Sequence, residues 1–196
     1  MAEAAGKVCT GFSKPYVAKY SNSGTTVTYS DGQILARGVS VDIAPESSDN
    51  NIFYADNQSA ESAGGRFTGG TLTLTVDGLF AAAERLIMGL PAAEQQTGLT
   101  AYNDDQVVPN CGVGFVARYM SGGVTTYTPV ILSKVAFNVV GLSAATQEEE
   151  IDWQTQELTA NIMRADDAKH GWRYVGGDLE TEAAAEAIIK TFLGIQ

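Results

Sequence analysis

The stretch Thr71-Leu72-Thr73-Leu74-Thr75-Val76 alternates hydroxyl and apolar side chains without interruption. Successive residues of a strand point to opposite faces, so Leu72, Leu74 and Val76 would share one face and the threonines the other. The stretch therefore predicts a strand that is buried on one face only.

Strand signals of the same kind precede this stretch. Asp31-Gly32 is a strong two-residue hairpin signal because both positions tolerate positive φ, and the runs around it are rich in β-branched and aromatic residues. We expect a meander of short strands at 16–20, 25–29 and 33–35 and through Val39, Val41 and Ile43.

Two helices are predicted among further strands. Asp77 can cap a helix over 78–88, which Gly89 and Pro91 would end, and a second amphipathic helix runs from Thr181 to near Gly194. Alternation predicts the remaining strands at 112–120, 124–132, 135–139, 151–155 and 158–162. The fold class is mainly β with two helices, most simply a β-sandwich or a partly open barrel.

The composition fits one globular domain over residues 1–196, in which the segment 163–196 is the least defined. No apolar run approaches the roughly 18 residues that span a bilayer, and residues 1–7 lack the apolar core of a secretory signal, so we expect synthesis inside the cell and no membrane partner. Twelve basic residues against 23 acidic residues give a net charge of −11. This charge balance argues against tight binding of nucleic acid, which needs clustered cations.

Residues 44–66 break both the strand and the helix period. The segment is rich in turn formers such as Asp49-Asn50-Asn51 and Gly64-Gly65, yet it contains Ile52-Phe53-Tyr54, whose apolar surface needs a partner. Loops longer than about 12 to 15 residues are usually functional or disordered. We therefore predict a long loop that contacts another molecule, with packing inside the chain as the alternative for Phe53.

A search for catalytic chemistry finds no motif. His170 is the only histidine and precedes a turn, so a surface position is expected, and no nucleophile elbow, phosphate loop or CxxC occurs. The paired carboxylates Asp104-Asp105, Asp166-Asp167 and 148–150 are expected to be solvated, and Cys9 and Cys111 to be free thiols.

Metal binding is also not indicated. Asp49-Asn50-Asn51 with Asp56-Asn57 could offer oxygen ligands to calcium, but the spacing of a calcium loop is absent and Asx turns are the simpler interpretation. We expect a protein that is not an enzyme and that holds no cofactor or metal.

Several segments together resemble the major tail protein family of long, non-contractile bacteriophage tails. They are VTYSDG (27–32), IFYADN (52–57) with AES (60–62), TGGTLTLTVDGL (68–79), GVGFV (112–116), SKVAF (133–137) and IDWQT (151–155). Their order and spacing cover most of the chain from residue 16 to residue 162, whereas 163–196 adds little to the resemblance.

The resemblance implies a tail tube fold, in which two packed sheets are flanked by a helix. Six copies would form a ring whose inner sheets merge into one barrel, and stacked rings would form the tube that carries genomic DNA into the host without binding it specifically. Further expected partners are a tape measure protein and a tail terminator. The chain would be assembled in the host cytoplasm and be located in the virion.

Within this scheme, residues 44–66 would be the loop that stacks one ring on the next, and residues 78–88 the flanking helix. The expected inter-ring contacts are Asp49, Asn50, Ile52, Phe53, Tyr54, Asp56, Asn57, Glu61 and Arg66. The acidic balance suggests a tube lumen that repels phosphate, although solubility is a commoner reason for a low pI.

Other classes of protein remain open. The first comprises related virion parts, namely a head-tail joining or tail terminator protein or the tube of a contractile system. The second is a monomeric β-sandwich that binds carbohydrate by stacking sugars on exposed Tyr54, Trp153 or Trp172.

Overall fold

The fold is mainly antiparallel β, with two short helices. A computed structural model describes residues 6–146 and 153–196. In chain order, the elements are β1 (Val8–Ser23), β2 (Thr26–Ile34), β3 (Gly38–Ser47), β4 (Asn51–Ala55), β5 (Gln58–Ala63), β6 (Phe67–Val76), α1 (Ala81–Met88), β7 (Asn110–Ser121), β8 (Val124–Phe137), β9 (Gln156–Met163), β10 (Arg173–Val175) and α2 (Glu182–Phe192). The predicted class, mainly β with two helices, is confirmed.

Eight of the strands form one antiparallel sheet in the order β2-β1-β7-β8-β9-β6-β3, with β10 added beside β8. Strand β8 is the link between two layers, because it pairs with β7 along its length and with β9 only at Lys134–Phe137. The remaining pair, β4-β5, is a separate hairpin.

The two layers face each other across an apolar core. Leu72, Leu74 and Val76 are fully buried, as the alternation of β6 predicts, and they pack with β9, β7 and β8. On the far side Val41 and Ile43 of β3 pack against the cluster around Phe115 of β7. Burial of this core is the main apolar stabilisation of the sheet.

The sheet curls back on itself but does not close. Strand β3 lies over β1, where the Phe12 ring fills the space above Gly38: a Cβ at that glycine would lie 2.3 Å from Cζ of Phe12. The two edges of the sheet, β2 and β3, are connected in sequence but are not paired with each other. The architecture is therefore a partly open barrel with two unpaired edges.

Helix α1 lies inside the apolar core, to which it contributes Ala83, Ile87 and Met88. It begins later than predicted, at Ala81, and its N-cap is Phe80, which makes no side-chain capping bond. Asp77 is not the cap because it accepts hydrogen bonds from Arg37 at the end of β6. The predicted C-terminal end holds: Gly89 adopts the left-handed conformation, with φ 66°.

Helix α2 covers the outer face of β1, β7 and β8. Its buried residues Ala185 and Ile189, with the following Leu193, pack on Tyr16, Ala18, Val116 and Ile131. Glycines in β7 allow this close approach: a Cβ at Gly114 would lie 2.5 Å from Cγ2 of Ile189. The helix begins at Glu182, close to the predicted start, and the side chain of Thr181 caps it by accepting a hydrogen bond from the Ala184 N–H.

A carboxylate on α2 anchors the helix to β1. Glu186 accepts hydrogen bonds from Lys14 and from the Tyr16 hydroxyl, which lies 2.6 Å from Oε1, and Lys190 lies 2.9 Å from the same oxygen. These contacts, that from Lys14 first, lower the pKa of Glu186 to about 2. The segment of β1 at Lys14 has φ 53° and a shifted register, so α2 stabilises an irregular part of the strand.

Several predicted boundaries are corrected. Strand β8 continues through 133–137 without a break, because its two ends pair with different neighbours. Trp153 and Thr155 are not in a strand, and Ile151 lies outside the described residues. No helix in the described part of the chain has the length and apolarity to cross a membrane.

Candidate assembly surfaces

Residues 48–66, here called the hairpin arm, project from the end of the sheet where β3 leads into them and β6 leads out. The predicted irregular loop is wrong in form, because β3 extends to Ser47 and the arm contains the β4-β5 hairpin. Asp56 and Asn57 have φ 51° and 62°, which is the two-residue turn that favours Asn and Asp. The hairpin was not predicted because its two strands are short and most residues of β5 are polar.

The two sides of the arm are joined to each other at its base. The Ser48 N–H donates to the Arg66 carbonyl at 2.9 Å, and the Gly65 N–H donates to Oδ1 of Asn50 at 2.8 Å. Every residue from 44 to 66 is exposed. The arm therefore has no core of its own within this chain, and an isolated two-stranded hairpin is only marginally stable in water.

The apolar side chains of the arm are exposed. The exposed fraction is 43% for Ile52, 63% for Phe53 and 63% for Tyr54. Packing of Phe53 inside the chain, the alternative raised by the sequence, is excluded by this exposure. Adjacent exposed apolar residues of this size are typical of surfaces that contact another molecule.

The polar residues predicted for the arm lie around this apolar group. Asn50 is used within the arm, at its base, and Asp56 and Asn57 form its tip. Asp49, Asp56, Glu61 and Arg66 are absent from the ion pairs found among the described residues. The structure brings all nine predicted residues into one projecting element.

The outer face of β3, β6 and β9 is a second surface without cover. Its side chains are neighbours across adjacent strands; for example, Ser40 Oγ and Thr75 Oγ1 lie 2.9 Å apart. We call it the threonine face; it consists of Ser40, Asp42, Ala44, Thr71, Thr73, Thr75, Glu157, Thr159 and Asn161. Asn138 donates a hydrogen bond to Thr159 Oγ1 at 2.8 Å, and no helix of the described chain packs on the face.

The charge on the threonine face has one sign. Asp42 and Glu157 lie on it, and β3, β6 and β9 contain no lysine or arginine. By contrast, β1, β7 and β8 all contain basic residues, at Lys14, Arg118 and Lys134 among others. A polar face with only negative charge repels phosphate and offers it no cation.

The opposite end of the β3-β6 pair has exposed apolar residues of its own. Phe80 is 56% exposed, Leu142 92% and Trp153 82%. The connections that carry them meet at Gln156, which accepts a hydrogen bond from the Leu79 N–H and donates to the Gly141 carbonyl. We call this end of the molecule, at the start of α1, the α1 end.

Residues considered for catalysis are spread over the molecule. His170 is exposed, with φ 51°, and Asp104 and Asp105 are exposed in a turn. Asp166 and Asp167 correct the prediction of solvated carboxylates, because both are half-buried; Asp166 pairs with Lys134. Residues 148–150 lie outside the described residues.

The two cysteines differ in their exposure to solvent, and the residues considered as calcium ligands lie in the hairpin arm. Both cysteines are free; Cys9 is exposed, whereas Cys111 is buried, and burial raises the pKa of its thiol to about 12. The described residues contain no cluster of three or more side chains suited to a metal ion. Asp56 and Asn57 form the turn of the β4-β5 hairpin.

The aromatic side chains considered as sugar platforms differ in access. Tyr54 and Trp153 are exposed. Trp172 is half-buried, since its ring stacks on Phe67 with centroids 4.3 Å apart and Arg173 lies 4.8 Å from its centroid. Trp172 is therefore not a free platform, and the other two lie on separate parts of the structure.

Comparisons with known proteins add no family. The chain matches no protein-family model, and it matches no curated protein sequence. Any function therefore has to be argued from the surfaces described above.

Two features were not predicted from the sequence: the cation-free threonine face and an open cleft beside Asp167. The cation-free composition of β3, β6 and β9 could have been read from the sequence once the strands were paired correctly. The cleft beside Asp167, described below, could not, because its lining residues are far apart in the chain.

Proposed function

We propose that this chain is a virion structural protein, the subunit of a bacteriophage tail tube, which polymerises as stacked rings around the path of the DNA. The observation that carries the proposal is the combination of an exposed apolar hairpin arm with an uncovered, cation-free threonine face on the same strands. Because β3 and β6 form the face and also carry the arm, a single element would line the tube and join its rings.

The arm supports stacking because its apolar surface has no partner within the chain. We propose that Phe53 and Tyr54 of one copy pack on the next ring, at the α1 end, where Phe80, Leu142 and Trp153 are exposed. The arm and the α1 end lie at opposite ends of the β3-β6 pair, so the contact is head-to-tail. Head-to-tail contacts that do not close into a ring generate filaments.

The open sheet supports formation of a ring. Strands β2 and β3 leave unpaired backbone groups at the two edges of the sheet. Pairing of edges between neighbouring copies would satisfy these groups and would join the threonine faces into a continuous surface. We propose six copies per ring, a tape measure protein within the growing tube, and a tail terminator at its end.

The threonine face suits the lumen of such a tube. Hydroxyl side chains keep the surface wetted, while Asp42 and Glu157 repel the phosphates of the passing duplex. Without lysine or arginine contacts no counterions would be released, so DNA would remain free to slide. The threonine face would therefore guide DNA without holding it.

The proposal is tested by assembly of the purified chain and of an arm variant. Wild-type protein is expected to form cylinders in negative-stain electron microscopy and to sediment as a polymer. Phe53→Ser with Tyr54→Ser should raise the concentration needed for assembly at least tenfold, because each buried aromatic ring contributes roughly 1.5 to 3 kcal/mol.

The control is Val124→Ser, which removes an apolar residue of similar exposure, 64%, at the start of β8. It should assemble like the wild type, and below the assembly concentration all three proteins should have the same denaturation midpoint. Wild-type protein that stays monomeric at every concentration would refute the proposal, and single rings that never stack would favour a joining protein instead.

A further inference from the structure

An open cleft of about 460 Å³ lies between α2, β2 and the chain that follows β9. Aromatic rings form much of its wall: the ring centroids of Tyr29 and Phe192 are 5.5 Å apart, and those of Tyr174 and Phe192 are 5.1 Å apart. Among the described residues that line the cleft, Asp167 alone is charged, and none is basic.

One oxygen of Asp167 has no partner. Tyr174 donates a hydrogen bond to Oδ2 at 3.3 Å, whereas Oδ1 is buried and is the only buried side-chain oxygen or nitrogen of the described residues without a hydrogen bond. Buried polar atoms are normally paired, and an unpaired one is costly. None of the ion pairs among the described residues includes Asp167.

The neighbouring carboxylate, Asp166, is paired with a cation. Asp166 accepts a hydrogen bond from the Lys134 ammonium at 2.7 Å, and the same ammonium lies 5.1 Å from the Tyr20 ring centroid. Lys134 is thus committed to Asp166. Asp167 lies beside tyrosine rings in the same way but has no cation.

The electrostatics of the cleft agree with a site for positive charge. Burial raises the pKa of Tyr29 and of Tyr174, and the negative charge of Asp167 raises both further. Both phenols therefore stay neutral near pH 7 and add no second negative charge to the cleft. Ring faces and a carboxylate together are the groups that bind alkylammonium and guanidinium ions.

We propose that this cleft binds a primary ammonium or a guanidinium group, with the Asp167 carboxylate as its acceptor and Tyr29, Tyr174 and Phe192 as its aromatic wall. The group would come from a free alkylamine or from a lysine or arginine side chain of a second copy of this chain. The inference rests on the cleft itself and does not depend on the tail tube proposal.

The test is calorimetric titration of the full chain with n-butylammonium, with n-butanol as the neutral probe of equal shape. Wild-type protein should bind the amine and should bind the alcohol at least tenfold more weakly. Asp167→Asn should reduce amine affinity at least tenfold, because it removes the charge while keeping the shape. Asp105→Asn, an exposed acid that makes the same change in net charge, should leave amine affinity unchanged.

Sedimentation of the same variants separates the two sources of the cation. Weaker self-association of Asp167→Asn than of Asp105→Asn assigns the site to a side chain of a second copy, and equal self-association assigns it to a free amine. The proposal is overturned when the wild type binds no amine, binds butanol equally well, or when Asp167→Asn binds the amine as well as the wild type does. None of these three results bears on whether the chain forms tubes.

Discussion

The covered and the bare outer faces of the sheet are built on different principles. On β1, β7 and β8 the outward side chains are apolar or absent, as at Gly114, and α2 packs on them. On β3, β6 and β9 the outward side chains are hydroxyl or acidic, and no described helix covers them. One half of the sheet thus forms a second apolar core with α2 on its outer face, whereas the other half leaves the side chains of its outer face uncovered.

The largest effect on stability is expected beneath α2. Ile189→Ala should lower the free energy of unfolding by about 2 to 5 kcal/mol, because the side chain is fully buried and its removal leaves a cavity. Thr73→Ala on the threonine face should change it by less than about 0.5 kcal/mol. Urea denaturation measures both values; equal losses at the two sites would remove the distinction between the faces.

A matched pair of glycines tests the same contrast by adding a methyl group. A Cβ at Gly114 would lie 2.5 Å from Cγ2 of Ile189, whereas a Cβ at Gly69 would meet nothing closer than 3.7 Å. Gly114→Ala should therefore cost about 1 to 3 kcal/mol, and Gly69→Ala should be near neutral. Thermal denaturation of the two variants gives the comparison, and a larger loss at Gly69 would contradict the packing described here.

The anchor of α2 predicts that stability depends on pH. The pKa of Glu186 is lowered from 4.5 to about 2, so its contribution is complete above pH 4.5 and is lost as the pH falls toward 2. Glu186→Gln should be less stable than the wild type by about 1 to 2 kcal/mol at pH 7, since Lys14 and Lys190 are partly exposed. Denaturation midpoints from pH 7 to pH 2 should converge; a constant difference would be inconsistent with this anchor.

The smallest effect on stability is expected for charge reversal on the threonine face. Asp42→Lys with Glu157→Lys should change stability little, but it should give salt-sensitive binding of a short DNA duplex, measured by fluorescence anisotropy at low and moderate salt. Asp104→Lys with Asp105→Lys places the same charge on an exposed turn and should bind less DNA. Equal binding by both pairs would mean that net charge, and not this face, governs the interaction.

How much the sequence predicts follows from the range of the interactions. The alternation of Leu72, Leu74 and Val76 is local, and it correctly predicts a strand buried on one face. The end of α1 at Gly89 and the helical spacing that follows Thr181 are also local, and both predictions are confirmed. The start of α1 was misplaced because Asp77 makes a long-range bond to Arg37 instead of a cap.

The surfaces depended on contacts between distant residues. Which half of the sheet α2 covers is decided by its fit to Gly112 and Gly114, some 70 to 80 residues earlier in the chain, and no local pattern reveals that fit. The arm was located correctly by its apolar residues, but its hairpin form depended on the turn at Asp56 and Asn57. The Asp167 cleft combines five separate segments and had no signal in the sequence.

Electron cryomicroscopy of the polymer formed by the purified chain tests the central claim most directly. The account predicts a tube of stacked rings in which the threonine face lines the channel and Phe53 is buried between rings. A tube with the threonine face on its exterior, or with Phe53 still exposed to solvent, would contradict it.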